Sequence, residues 1–198
     1  MRQIVLASTS PYRRQLLQQL HLPFITASPL CFEEIDQSLS PELVVRHLSL
    51  QKAMSLVRHF PDALIIGSDQ VFVDTRKRIL GKPSSPDAAF SQLRSMCGRC
   101  HSFFTGLAVV DSQSGESVFD HDVFSVTMKN LSDSQIHSYL DRERPFDCAG
   151  SFKIEGLGIA LMEKMEGNDY TSLIGLPLIK LTEMLKRFDV DVLSAKGG

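Results

Sequence analysis

Side chains able to handle phosphate gather at four places in this sequence, each where the chain leaves an apolar run or a helix. The first is Ala7-Ser8-Thr9-Ser10-Pro11-Tyr12-Arg13-Arg14. A strand that ends in a hydroxyl-rich turn and then enters a helix leaves backbone N–H groups unpaired and aimed at one spot. The helix dipole adds partial positive charge there, which makes an anion site. Arg13 and Arg14 bring bidentate donors matched to phosphate oxygens, although cations in a first turn oppose the dipole. Taken alone, the segment reads equally well as a capped helix with solvated arginines.

The second place is Ile65-Ile66-Gly67-Ser68-Asp69-Gln70-Val71, an apolar strand that abruptly carries a carboxylate. Ligands of open α/β sheets collect at strand ends. Asp69 could therefore hold a divalent cation, activate a water, or simply cap a turn. The third is Leu80-Gly81-Lys82-Pro83, a cation in a tight turn that lacks the remainder of a P-loop. Glu33, Glu34 and Asp36 form an acidic loop, as metal ligands or as a solvated turn, and Lys52 falls inside a helix. The fourth is Cys148 to Gly158, where small residues around Lys153 and Glu155 allow backbone to approach a ligand. Cations, carboxylates and a helix N-terminus are the parts needed for metal-assisted chemistry on a polyphosphate.

The elements that must position these residues follow from pattern. Ser10-Pro11, Ser40-Pro41 and Ser85-Pro86 each set a hydroxyl N-cap before proline at the first helical position. They predict helices over about 11–20, 41–59 and 86–96, the second with an apolar stripe of Leu43, Val44, His47, Leu48 and Met54. A fourth helix starts at Ser132-Asp133, and Leu178 to Phe188 forms a last one after Gly175-Leu176-Pro177. Strands are expected over 4–7, 24–27, 63–73, 102–111, 117–129 and 158–164, with a hairpin turn at 111–115. A β-helix-β start followed by a long hairpin implies an α/β fold with a mixed sheet flanked by helices. No repeat or linker divides residues 1–198, which read as one domain.

A net charge of −2 provides no field to hold a nucleic-acid backbone, and no apolar run reaches the length of a membrane span. A soluble cytoplasmic protein is expected. Cys97-Gly98-Arg99-Cys100 has the spacing of a redox pair. The order of elements is wrong for one, however, since a helix precedes it and a strand follows. The four cysteines are read as plain thiols.

In order along the chain, these segments resemble the Maf family of nucleotide pyrophosphatases. The resemblance rests on Leu6 to Arg14, Glu33, Lys52, Gly67-Ser68-Asp69-Gln70, Gly81-Lys82-Pro83 and Ala149-Gly150 through Gly158, and so spans nearly the whole chain. It implies a fold similar to inosine triphosphate pyrophosphatases, with two lobes and a central cleft. It also implies a divalent cation, Mg²⁺ or Mn²⁺, held by Asp69 and Glu33, and Asp69 as the catalytic proton acceptor. Ser8, Arg13, Arg14, Lys52 and Lys82 would hold the triphosphate, and Lys153 would join the substrate-binding set.

Tyr12, Gln70 and Glu155 match the YceF-like branch, whose preferred substrate is 7-methyl-GTP, although Tyr12 stands where that branch more usually has Trp. The chemistry suits such a base. Methylation at N7 makes guanine a cation, which an aromatic face attracts by about 0.5–2 kcal/mol. A carboxylate such as Glu155 can accept hydrogen bonds from the guanine edge. The alternatives are a dTTP/UTP pyrophosphatase and a nucleotide-binding regulator of septum formation with little turnover. A homodimer is compatible with the sequence but not required by it.

Overall fold

Strand β1 (Gln3–Ala7) and most of β3 (Ala63–Val73) are apolar without alternation because both of their faces are covered. Ile4, Leu6, Leu64, Ile66, Leu107 and Val109 point into one core. Val5, Ala7, Ala63, Ile65 and Val110 point into the other. The computed structural model describes residues 2–32, 34–36 and 38–194. Between these two strands lie α1 (Pro11–Gln18), β2 (Phe24–Ala27) and α2 (Pro41–Met54). After β3 come β4 (Ile79–Leu80), α3 (Pro86–Met96), β5 (Cys100–Asp111) and β6 (Ser117–Met128). The chain closes with α4 (Asp133–Glu143), β7 (Met162–Glu166), α5 (Tyr170–Ile174) and α6 (Leu178–Lys186). Short 3₁₀ turns occupy Ala149–Ser151 and Leu157–Leu161.

The strands form one seven-stranded mixed sheet in the order β2-β1-β3-β5-β6-β7, with β4 paired to β3. β1 runs parallel to β2 and β3, while β3/β4 and β6/β7 are antiparallel. The expected α/β class with a mixed sheet is therefore what forms. The chain folds into two compact units, and the boundary falls within β3, β5 and β6. The first contains residues 1–70, 105–122 and 169–198, and the second contains 71–104 and 123–168.

In the first unit α1 and α6 cover one face of the strands, with Leu16, Leu17, Leu181 and Leu185 buried. Helix α2 covers the other face at close range. A Cβ at Gly67 would lie 2.0 Å from the Ser49 carbonyl oxygen, and one at Gly106 would lie 2.3 Å from that of Val45. Only glycine leaves room for the helix backbone there. This corrects the expected apolar stripe of α2. Its buried residues are Val44, Val45, Leu48, Ser49, Lys52 and Ala53, while Leu43 and Met54 are half exposed. The helix also ends at Met54 rather than near 59, because Leu56 and Val57 tighten into i→i−3 hydrogen bonds.

In the second unit Leu93, Met96, Ile136 and Tyr139 are buried, and Phe72, His101, Phe103 and Phe152 form a chain of ring contacts. Three further expectations need adjustment. Ser10 and Ser85 accept the predicted cap bonds, but Ser40 makes none. The strand expected from Gly158 begins at Met162, since 157–161 coil into a 3₁₀ turn around Gly158. Finally, α5 and the two-residue β4 were not anticipated.

Candidate active site

The alternation of β3 sorts its polar residues onto two faces. Ser68 and Gln70 follow Leu64 and Ile66, and Asp69 follows Ile65 and Gly67. On the Asp69 side, the glycine at 67 brings α2 close enough for Lys52 to donate to the Asp69 carboxylate at 2.5 Å. Both residues are buried, at 5% and 7% exposure. Desolvating two such charges costs several kcal/mol each, which only their mutual attraction and good hydrogen bonding offset. Burial of Val44, Val45 and Leu48 contributes about 1.5–3 kcal/mol apiece. The apolar face of α2 therefore holds the helix down, and the charge pair is carried into the interior with it. Sequence placed both residues in the site, and the structure brings them into contact.

On the other side of β3, the Ser68 hydroxyl is shared between the carbonyls of Gly106 at 2.8 Å and Gly175 at 2.9 Å. Gly175 closes α5 at φ +123°, and its carbonyl also accepts from Arg13 Nε at 2.8 Å. Gln70 Nε2 donates to Thr105 Oγ1 at 2.9 Å, to the Ser172 carbonyl at 2.8 Å and to the Leu173 carbonyl at 3.1 Å. The buried Asp169 carboxylate caps α5 through Thr171 N–H and α6 through Ile179 N–H, both at 2.8 Å. Ser68, Asp169 and Gly175 were not singled out from sequence as site residues. The Ser68-Asp69-Gln70 alternation on a strand was the signal for the first of them.

At the start of α1, Ser8 is buried and its hydroxyl oxygen accepts from Ser10 N–H at 3.1 Å. Tyr12 and Arg13 are half-buried, and Arg14 is exposed. Ser8, Tyr12, Arg13, Arg14, Lys52, Asp69 and Gln70 thus share the first unit. Lys82, Lys153 and Glu155 belong to the second. There Lys82 and Glu155 are exposed, and Lys153 pairs with Asp147 at 3.3 Å. The Lys153 N–H donates to Tyr139 Oη at 3.0 Å, and Leu157 N–H donates to Glu143 at 2.8 Å. Burial pushes the Tyr139 phenol above its ordinary range, so it stays neutral in this role.

Glu33, expected to bind metal with Asp69, lies outside the described residues. Among the described residues no three His, Cys, Asp or Glu side chains gather in a metal-binding group. Of the two expected ligands, the described residues include Asp69, whose carboxylate is buried. That suits a cation such as Mg²⁺, which takes one or two carboxylates and fills its remaining positions with phosphate and water. The cysteines do not enter. All four are unbridged, and burial, with Asp147 adding to it, pushes the Cys148 thiol up to about 12. Among the described residues no helix is long and apolar enough to cross a membrane.

These features define an α/β protein with a buried lysine–aspartate pair that joins helix α2 to an inner strand of a mixed sheet. The family model for Maf-like proteins matches residues 3–188, and the chain belongs to that family. It is 58% identical over 193 residues to a 7-methyl-GTP pyrophosphatase of Syntrophotalea carbinolica, covering 98% of both chains. A 7-methyl-GTP pyrophosphatase of Pseudomonas aeruginosa is 48% identical over 96% of this chain and 98% of its own. The solved Staphylococcus aureus Ham1 protein overlaps 65% of this chain and 72% of its own at 12% identity, with a TM-score of 0.46.

Proposed function

We propose that this chain hydrolyses 7-methyl-GTP to 7-methyl-GMP and pyrophosphate. The observation that carries the reading is the buried pair between Lys52 of α2 and Asp69 of Gly67-Ser68-Asp69-Gln70, in a chain alike over nearly its full length to proteins bearing that activity's name. Asp69 accepts the proton of a water that attacks the α-phosphorus. The bond from that phosphorus to the bridging oxygen breaks, and pyrophosphate leaves with the electron pair. Ser8, Arg13, Arg14, Lys52 and Lys82 hold the triphosphate and offset the charge that develops on the leaving group. Tyr12 and Glu155 face the cationic base, with Gln70 and Lys153 completing the substrate-binding set.

In the same reading a divalent cation, Mg²⁺ or Mn²⁺, is held by Asp69 with Glu33 as a second ligand, and when bound it neutralises phosphate charge. Gln70 meets the substrate through its carbonyl oxygen, since its amide nitrogen donates to Thr105 on β5 and to the Ser172 and Leu173 carbonyls of α5. Arg13 is oriented for this role by the Gly175 carbonyl, which accepts from its Nε.

The test is pyrophosphate release from a nucleotide panel with Mg²⁺ or Mn²⁺, using wild type and Asp69→Asn. The reading expects 7-methyl-GTP to be the best substrate and the variant to lose about 10²–10⁴ in rate. Faster release from dTTP or UTP would overturn the substrate, and binding without turnover would make the protein a nucleotide-binding regulator. Near-normal turnover by Asp69→Asn would remove Asp69 from its role.

A further inference from the structure

Gln92, on α3, touches two segments that lie far apart in the chain. Its Nε2 donates to the Gly81 carbonyl at 3.1 Å, and its Oε1 accepts from the Ser151 hydroxyl at 2.5 Å. Gly81 precedes Lys82, while Ser151 stands two residues before Lys153 and four before Glu155. All of these residues lie within the second unit. We infer that Gln92 is a positioning residue, which ties the Lys82 turn to the Lys153/Glu155 loop so that phosphate-holding and base-reading groups move as one body. The inference rests on the function proposed above.

Three observations support it. Ser151 is fully buried and sits at φ +58°, next to Gly150 at φ +76°. A left-handed serine costs free energy and persists only where its surroundings hold it, and the Gln92 bond does so. The rest of the loop is pinned independently, at Lys153 by Tyr139 and at Leu157 by Glu143. Gly156 allows the second contact, because a Cβ there would meet Glu143 Oε1 at 2.6 Å. By contrast, the Lys82 side of the tie is exposed, and a Cβ at Gly81 would meet nothing within 4 Å. The turn thus has open space to move into, and the Gln92 bond limits that movement.

Full-length Gln92→Ala, Gln92→Glu and Ser151→Ala proteins separate the two arms. Glutamate can still accept from Ser151 but cannot donate to Gly81, and alanine at 151 releases only the other arm. In Gln92→Ala, amide exchange should quicken in both 79–82 and 149–155. KM for 7-methyl-GTP should rise about three- to tenfold, the worth of one or two ordinary hydrogen bonds. Discrimination against unmethylated GTP should fall in Ser151→Ala more than in Gln92→Glu, which releases only the phosphate side. Faster exchange with KM and discrimination unchanged would make the tie merely structural and overturn the inference, as would unchanged exchange. If wild type turned over no nucleotide, the proposed function would fall, and amide exchange would still decide whether Gln92 joins the two segments.

Discussion

Arg13 and Ser68 hydrogen-bond the same oxygen, the carbonyl of Gly175. One belongs to the helix start that could receive phosphate, and the other is the strand neighbour of Asp69. A backbone group at the end of α5 therefore holds in register two parts of the site that sequence shows only as separate motifs.

Replacing Ser68 with alanine tests this relationship. The residue is fully buried, and its loss takes a donor from the Gly106 carbonyl and leaves Arg13 Nε to serve that of Gly175. Stability should fall by about 1–3 kcal/mol in urea titration. KM for the nucleotide should rise several-fold, because Arg13 loses the anchor that locates its acceptor. A drop in stability with KM unchanged would show that Gly175 orients Arg13 without help from Ser68.

Gly67→Ala probes how α2 delivers Lys52. The new methyl group would lie 2.0 Å from the Ser49 carbonyl oxygen, which is backbone and cannot swing aside. The helix must lift, costing about 1–3 kcal/mol or more. Moving Lys52 off Asp69 should lower pyrophosphate release further than the stability loss accounts for, at a temperature where the variant is still folded. Wild-type stability in a thermal scan would refute the close approach.

Much of this arrangement is legible in the sequence, and the parts that are not share a cause. Pro11, Pro41 and Pro86 mark helix starts because proline can stand at a first helical position without losing a bond. The apolar runs of β1 and β3 mark buried strands. The inward face of α2 was misread because the deciding residues, Gly67 and Gly106, lie on other elements and favour small or paired side chains opposite them. Helix α5 is too short to show a period, and its cap, Asp169, also holds α6. Gln92 carries no local mark at all, since both partners of its side chain are remote in the chain.

Arg2 grips Asp111 with two hydrogen bonds, at 2.6 and 2.5 Å, and tethers the start of β1 to the β5–β6 hairpin. The guanidinium holds the Asp111 carboxyl well below the usual carboxylate range, despite the opposing effect of burial. A depressed carboxylate contributes stability that is present above its unfolded value, about 3.9, and lost as pH falls further. Asp111→Asn should therefore cost about 1.5–3 kcal/mol at pH 7. The gap to wild type should close below about pH 4, as followed by denaturant titration across pH. A gap that stayed constant down to pH 2.5 would mean that the pair adds nothing through its charge.

His101 should make stability pH-dependent in a different window. It is 3% exposed with its ring tilted against Phe72, and its Nε2 donates to the Met96 carbonyl at 3.3 Å while Nδ1 has no hydrogen-bond partner among the described residues. Burial lowers its proton affinity below the ordinary histidine value, so the folded protein keeps it neutral. The unfolded chain takes up that proton near pH 6.5. Between this value and the lower folded one, the unfolded state holds more protons, and stability must fall as pH decreases. His101→Phe keeps a ring against Phe72 and removes the titration. The stability difference between wild type and variant should then shift against wild type as pH drops from 7 to 5.5, by at most about 1.4 kcal/mol per pH unit. Other histidines titrate equally in both proteins and cancel in the difference. Parallel stability curves for the two proteins over that range would show that His101 takes up its proton in the folded state as readily as in the unfolded chain.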